Sequence, residues 1–234
     1  MERSLNSVTE NLRRITATIA ETADKCGRDP AKIHLMAVTK TVPAGLVNHA
    51  IAQGIRLLGE NRAQEMLEKY DDYNKDGVDI HFIGHLQTNK VKHLIGRVSM
   101  IQSVDSLKLA REISRLSKNQ GVVTELLLEV NVGGEASKSG VRPGEVEALA
   151  REIALLDAVK LRGLMSIPPI STNIGQIEGY FSRIQALTVD IKAKNIDNIN
   201  MDYISMGMSD DYIHAIKYGA NILRLGSAIF GARG

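Results

Sequence analysis

Cysteine is nearly absent: Cys26 is the only one among 234 residues. That excludes an intramolecular disulfide framework and a cysteine-based zinc module. Tryptophan is missing and aromatic residues make up 4%, too few for the base-stacking platforms of single-strand nucleic-acid binders. Neither sign of charge dominates. Lys and Arg number 29 against 27 Asp and Glu, a formal net charge of +2, so composition argues against a nucleic-acid partner and leaves only room for a local basic patch. No apolar run approaches the length of a membrane span, and no membrane partner is expected. The first 26 residues carry Glu2, Glu10, Glu21 and Asp24 with no continuous apolar stretch. That is unlike a secretory leader or an acid-poor organelle presequence, and the cytoplasm is the expected compartment.

What the chain does have is apolar residues in a repeating arrangement. At 44% hydrophobic, it can bury a substantial core without disulfides or metals. Leu5, Val8, Leu12, Ile15 and Ile19 recur at steps of three and four and predict a leading helix over 1–27. Its stripe is short for a coiled coil, and packing against the body of the protein is expected. Beyond it, short apolar runs alternate with amphipathic segments: Ile33–Val38, Ile55–Leu58, Asp79–Ile83, Val98–Gln102, Val122–Val130, Val159–Met165, Met201–Met206 and Ile222–Leu225 are strand-like. Strands with little alternation, separated by helices, indicate parallel pairing with both faces covered. Eight such units over 33–231, at about 25 residues each, match a strand, a helix and two short loops. The fold class predicted is α/β, a single (β/α)8 TIM-type barrel spanning 1–234 with an extra N-terminal helix. An open doubly wound sheet is the alternative, but no G-x-G-x-x-G opens the first helix.

In a parallel barrel the chemistry gathers where strands end. Lys40 extends the run Leu35–Thr39. A lysine in the barrel mouth is partly desolvated, which favours the neutral amine that attacks aldehydes. The plain alternative is a strand-end lysine turned to solvent. After the seventh run comes Ser205-Met206-Gly207-Met208-Ser209, and after the eighth Gly226-Ser227. These are the two positions where barrels hold phosphate. Ser209 is expected to cap the helix over 210–218, whose N–H groups suit an anion. Arg224, inside the eighth run, needs either an ion-pair partner or a ligand. An aldehyde, a phosphate and a third polar point together describe pyridoxal 5′-phosphate (PLP).

The blocks Ala37–Pro43, Gly59–Arg62, His81–Lys90, Asn131–Gly140, Gly163–Pro169, Ser205–Asp211 and Arg224–Gly231 resemble the pyridoxal phosphate homeostasis proteins, the YggS/PROSC family. The likeness runs from about residue 8 to 233. It implies a barrel related to the N-terminal domain of alanine racemase, with PLP carried as a Schiff base on Lys40. It implies that Ser209, Gly226 and Ser227 hold the phosphate, that Arg224 faces the ring nitrogen and that Asn61 lies in the pocket. Ile80, Leu58 and Ser227 stand where the family often has Trp, Phe and Thr; none of these departures removes a proposed cofactor contact.

A cation at the ring nitrogen makes PLP a weaker electron sink. Related racemases add a second domain with an opposing base, and this chain ends at Gly234, after the eighth unit. The expectation is therefore a monomeric carrier with no catalytic residue, buffering PLP or delivering it to PLP-dependent apo-enzymes. A racemase-like enzyme and a PLP-independent Schiff-base aldolase or isomerase remain open. His81 and His85 are read as pocket-wall contacts rather than metal ligands, and no metal is expected. Lys90, Lys92, His93 and Arg97 are read as a solvated face. Met165, Met201, Met206 and Met208 are read as core and pocket-floor filling.

Overall fold

Each of the eight apolar runs becomes a strand in the computed structural model, which describes residues 4–135 and 138–232. The strands are β1 (His34–Val38), β2 (Leu57–Glu60), β3 (Asp79–Phe82), β4 (Met100–Val104), β5 (Thr124–Glu129), β6 (Val159–Met165), β7 (Ile199–Ser205) and β8 (Ile222–Leu225). All pair in parallel with their sequence neighbours, and β8 pairs with β1 to close the barrel. The helices are α1 (Leu5–Lys25), α2 (Ala44–Ala52), α3 (Ala63–Lys69), α4 (Leu107–Asn119), α5 (Val146–Ala154), α6 (Ile174–Ala193), α7 (Tyr212–Lys217) and α8 (Ser227–Phe230). The barrel is the one expected from the alternation of units.

The interior alternates along each strand. Met36, Leu57 and Ile222 pack together, as do Met100, Leu127 and Met165, with Tyr203 touching both groups. The outward strand residues meet the helices in one continuous core. Met165, Met201 and Met206 are buried, in keeping with a filling role. In α1 the stripe buries Val8, Leu12, Ile15 and Ile19, and the helix packs on α2, α7 and α8. Leu5, at the start of the stripe, stays exposed.

The unit that follows β3 carries a 3-10 helix over Thr88–His93 in place of an α-helix. Val91 and Leu94 plug the core while Lys90, Lys92 and Arg97 are exposed. The helix after β7 begins at Tyr212, with Asp211 as its N-cap residue, not Ser209. Asp211 Oδ1 accepts the Met208 N–H at 2.6 Å, and this turn occupies the residues that would otherwise form the first helical turn.

Candidate functional site

The C-terminal mouth of the barrel holds a pocket of about 350 Å³. Lys40, Asn61, Ser209, Arg224, Gly226 and Ser227 all line it. The structure thus gathers every residue singled out for the cofactor, from the ends of β1, β2, β7 and β8. Val38, Ile83, Ile167, Met208 and Phe230 add apolar wall.

Lys40 is half-buried and follows a tightly held segment. The Thr39 N–H donates to the Gly59 carbonyl at 3.0 Å. Its hydroxyl donates to Glu60 Oε1 at 2.6 Å, and the Tyr73 hydroxyl donates to the same oxygen at 2.7 Å. Lys69 Nζ donates to the Thr39 carbonyl at 3.0 Å and to Glu65 at 2.8 Å. Glu65 in turn accepts the Thr41 N–H. Thr41 sits at φ +58°, a left-handed conformation that β-branched residues resist. Lys40 is therefore presented between two anchored neighbours. Glu60 is fully buried, and burial pushes its carboxyl above the ordinary value, against the pull of Thr39, Tyr73 and Lys69. Its Oε2 has no partner among the described residues. Glu65, Lys69 and Tyr73 were not singled out from the sequence. The Glu65–Lys69 spacing of four was a visible signal, but such pairs are common on solvated helices.

Asn61 follows β2. Its carbonyl comes so close to Gly84 that a Cβ there would lie 2.0 Å away, so only glycine permits this approach. The Asn61 Oδ1 is buried without a partner.

Arg224 is 4% exposed. Nη1 donates to Ser205 Oγ at 2.7 Å and Nη2 to the Ser166 carbonyl at 2.8 Å. Both partners are neutral, so hydrogen bonds rather than a structural ion pair satisfy the guanidinium. Burial pushes its pKa down to about 10, opposed by the charges of Asp211 and Glu129. It remains a cation at neutral pH.

Ser209 has a different task from helix capping in α7. Its Oγ accepts the Ala228 N–H at 3.1 Å, which ties the loop after β7 to the first turn of α8. Gly226 precedes that turn. A Cβ at Gly226 would meet only ordinary contacts, with Val38 at 3.5 Å, so packing within the protein does not demand glycine there.

His81 and His85 do not share a site. His81 Nδ1 bonds Gln102 Nε2 at 2.8 Å inside the barrel. His85 is exposed beyond the strand, with Nδ1 3.2 Å from Ser139 Oγ and 3.8 Å from Asp105.

A family model described as the N-terminal domain of alanine racemase matches residues 5–234. A pyridoxal phosphate homeostasis protein of Pseudomonas aeruginosa is 40% identical over 229 residues, covering 98% of this chain and 97% of that one. The solved structure of PipY from Synechococcus elongatus, with PLP bound, superposes with a TM-score of 0.79 at 30% identity, covering 91% of this chain and 100% of that one. Alanine racemase from Corynebacterium glutamicum shares the fold, with a TM-score of 0.74 at 13% identity, over 98% of this chain and 62% of that one. With the matched blocks spread from β1 to α8 and the similarity covering nearly the whole length, the chain belongs to the pyridoxal phosphate homeostasis protein family, built on the barrel of the alanine racemase N-terminal domain.

Proposed function

We propose that this chain binds PLP at the C-terminal mouth of its barrel, holds it as a Schiff base on Lys40, and buffers or delivers it without robust turnover. The observation that carries this reading is the convergence of Lys40, Asn61, Ser209, Arg224, Gly226 and Ser227 on one pocket. The residues fit the group. The orphaned Asn61 Oδ1 calls for a polar ligand. Gly226 lines the pocket without a side chain, so a phosphate can approach the backbone that leads into α8. Lys40 would hold the aldehyde carbon, its neutral amine condensing with loss of one water. Ser209, Gly226 and Ser227 would hold the phosphate, and Arg224 would face the ring nitrogen.

PLP, when bound, supplies an electron sink for carbanions. The residues around it favour holding over turnover. Arg224 brings a fixed cation to the ring nitrogen and disfavours its protonation, which weakens that sink. Proton transfer on both faces of a substrate needs a base on each side. Among the described lining residues the ionisable ones are Lys40, Asp210 and Arg224, and Asp210 is exposed beside Ser209.

Purified protein incubated with PLP should absorb in the visible. Borohydride should bleach it and leave the label on the Lys40 peptide. A reducible adduct that persists in Lys40→Ala would reject the assignment. Cofactor-dependent α-proton exchange on an amino acid, abolished by Lys40→Ala, would support a racemase-like enzyme instead. Trapping of a sugar phosphate on PLP-free protein would support an aldolase or isomerase.

A further inference from the structure

A second cavity, of about 540 Å³, lies at the opposite mouth of the barrel. Barrel bottoms ordinarily serve stability, but this volume is in the range of small-molecule sites. The walls come from the N-terminal ends of the strands, with Leu57, Met100 and Ile222 as apolar surface and Thr16 of α1 at the edge.

His81 sets the chemistry. It is 7% exposed and lines the cavity. The polarity of its hydrogen bonds is dictated from the far end of a chain of four side chains. A guanidinium has no acceptor atom, so Arg224 Nη1 donates to Ser205 Oγ at 2.7 Å. The single hydroxyl hydrogen of Ser205 then goes to Gln102 Oε1 at 2.6 Å. Gln102 therefore turns its Nε2 toward His81 and donates to Nδ1 at 2.8 Å. The one proton of the neutral imidazole is left on Nε2. Burial, aided by the neighbouring His34, keeps the ring neutral. The Nε2–H has no acceptor among the described residues, and it is the donor that His81, as a lining residue, offers to the cavity.

The charged groups around the cavity do not call for an ionic occupant. Glu125 is paired with Arg162. Arg56 donates to the Ile51 and Ile55 carbonyls at 2.9 and 2.8 Å. Asp79 adds one carboxylate to the lining and Arg56 one guanidinium, so neither sign prevails. We propose that this cavity is a second binding site, for a small uncharged molecule whose carbonyl or ring nitrogen accepts from His81 Nε2–H and whose apolar body packs on Met100 and Ile222. The site does not depend on the cofactor reading, because the proton order is set by Arg224 within the protein itself.

Nicotinamide is a suitable probe, since it is uncharged and carries both kinds of acceptor. Titrated into the full chain and followed by saturation-transfer NMR, it should bind saturably, and equally with and without added PLP. His81→Phe removes the donor and should weaken binding by roughly tenfold or more. Thr16→Trp changes an exposed residue at the cavity edge. It should block binding without disturbing the core, which covers the case in which His81→Phe folds poorly. Lys40→Ala should bind nicotinamide as the wild type does. No saturable binding, full retention in Thr16→Trp, loss in Lys40→Ala, or acetate binding more tightly than nicotinamide would each overturn the proposal.

Discussion

His81 enters the folded state with its imidazole pushed by burial from 6.5 down to about 3. As pH falls, the unfolded chain takes up this proton first. The stability that neutral His81 contributes is fully present above 6.5 and is lost as pH drops toward about 3, at up to about 1.4 kcal/mol per pH unit. Glu60 has the opposite sign. Burial raises its carboxyl, so its contribution is present below the ordinary glutamate value and is lost as pH rises through the raised one. Urea unfolding across a pH series should therefore show a shallower acid limb for His81→Phe. Glu60→Gln should show less loss of stability on the rise out of the acid range. Unchanged slopes in both variants would mean that these groups titrate alike in the folded and unfolded chains. Lys40 and Arg224 were legible from the sequence because a charged residue that continues an apolar run stands out. Glu60, Tyr73 and Lys69 were not, because their burial depends on α3 folding back over the end of β1.

At the scale of elements, Arg28 connects the leading helix to the barrel. Its Nη1 donates to the carbonyls of Ile216 and Ala220 at 2.6 and 2.7 Å, and Nη2 to Gly219 at 3.2 Å. These are carbonyls at the C-terminal end of α7 and just beyond, where the aligned peptide dipoles favour a cation. Arg28→Met keeps much of the apolar stem and removes the donors. It should cost about 1.5–3 kcal/mol in denaturant unfolding, with the slope against denaturant unchanged. A loss no larger than that of Arg13→Met, an exposed position on α1, would remove the anchoring role. Element positions were largely readable. β6 and β8 fall on the residues expected from their apolar runs, Val159–Met165 and Ile222–Leu225. The runs for β2 and β4 ended too early, because Gly59, Glu60 and Ser103 look like loop residues yet are buried strand positions. The start of α7 was misplaced because Ser209, Asp210 and Asp211 offer several capping residues in a row, and only the Asp211–Met208 bond selects among them.

For the whole molecule, the two mouths of the barrel differed in how visible they were. The C-terminal pocket could be assembled from sequence because its residues follow strand ends. The opposite cavity could not, because its lining lies at strand starts, where His34, Arg56 and Asp79 look like ordinary flanking polar residues. PLP bound at one mouth acts on the entire fold through mass action. A ligand at about 100 times its dissociation constant stabilises the state it binds by about 2.7 kcal/mol. For a domain of this size that raises the melting temperature by roughly 5–10 °C. Calorimetry at increasing PLP should show this rise, continuing with the logarithm of concentration. Under the proposed Schiff base, Lys40→Ala should require much more PLP for the same shift, because it removes the covalent share of the affinity. Thr16→Trp, at the far mouth, should follow the wild-type curve, since Thr16 is an exposed residue outside the pocket that holds Lys40. A melting temperature independent of PLP in the wild type would mean that the chain does not hold the cofactor in its folded state. A Lys40→Ala curve matching the wild type would instead locate the binding energy away from that lysine.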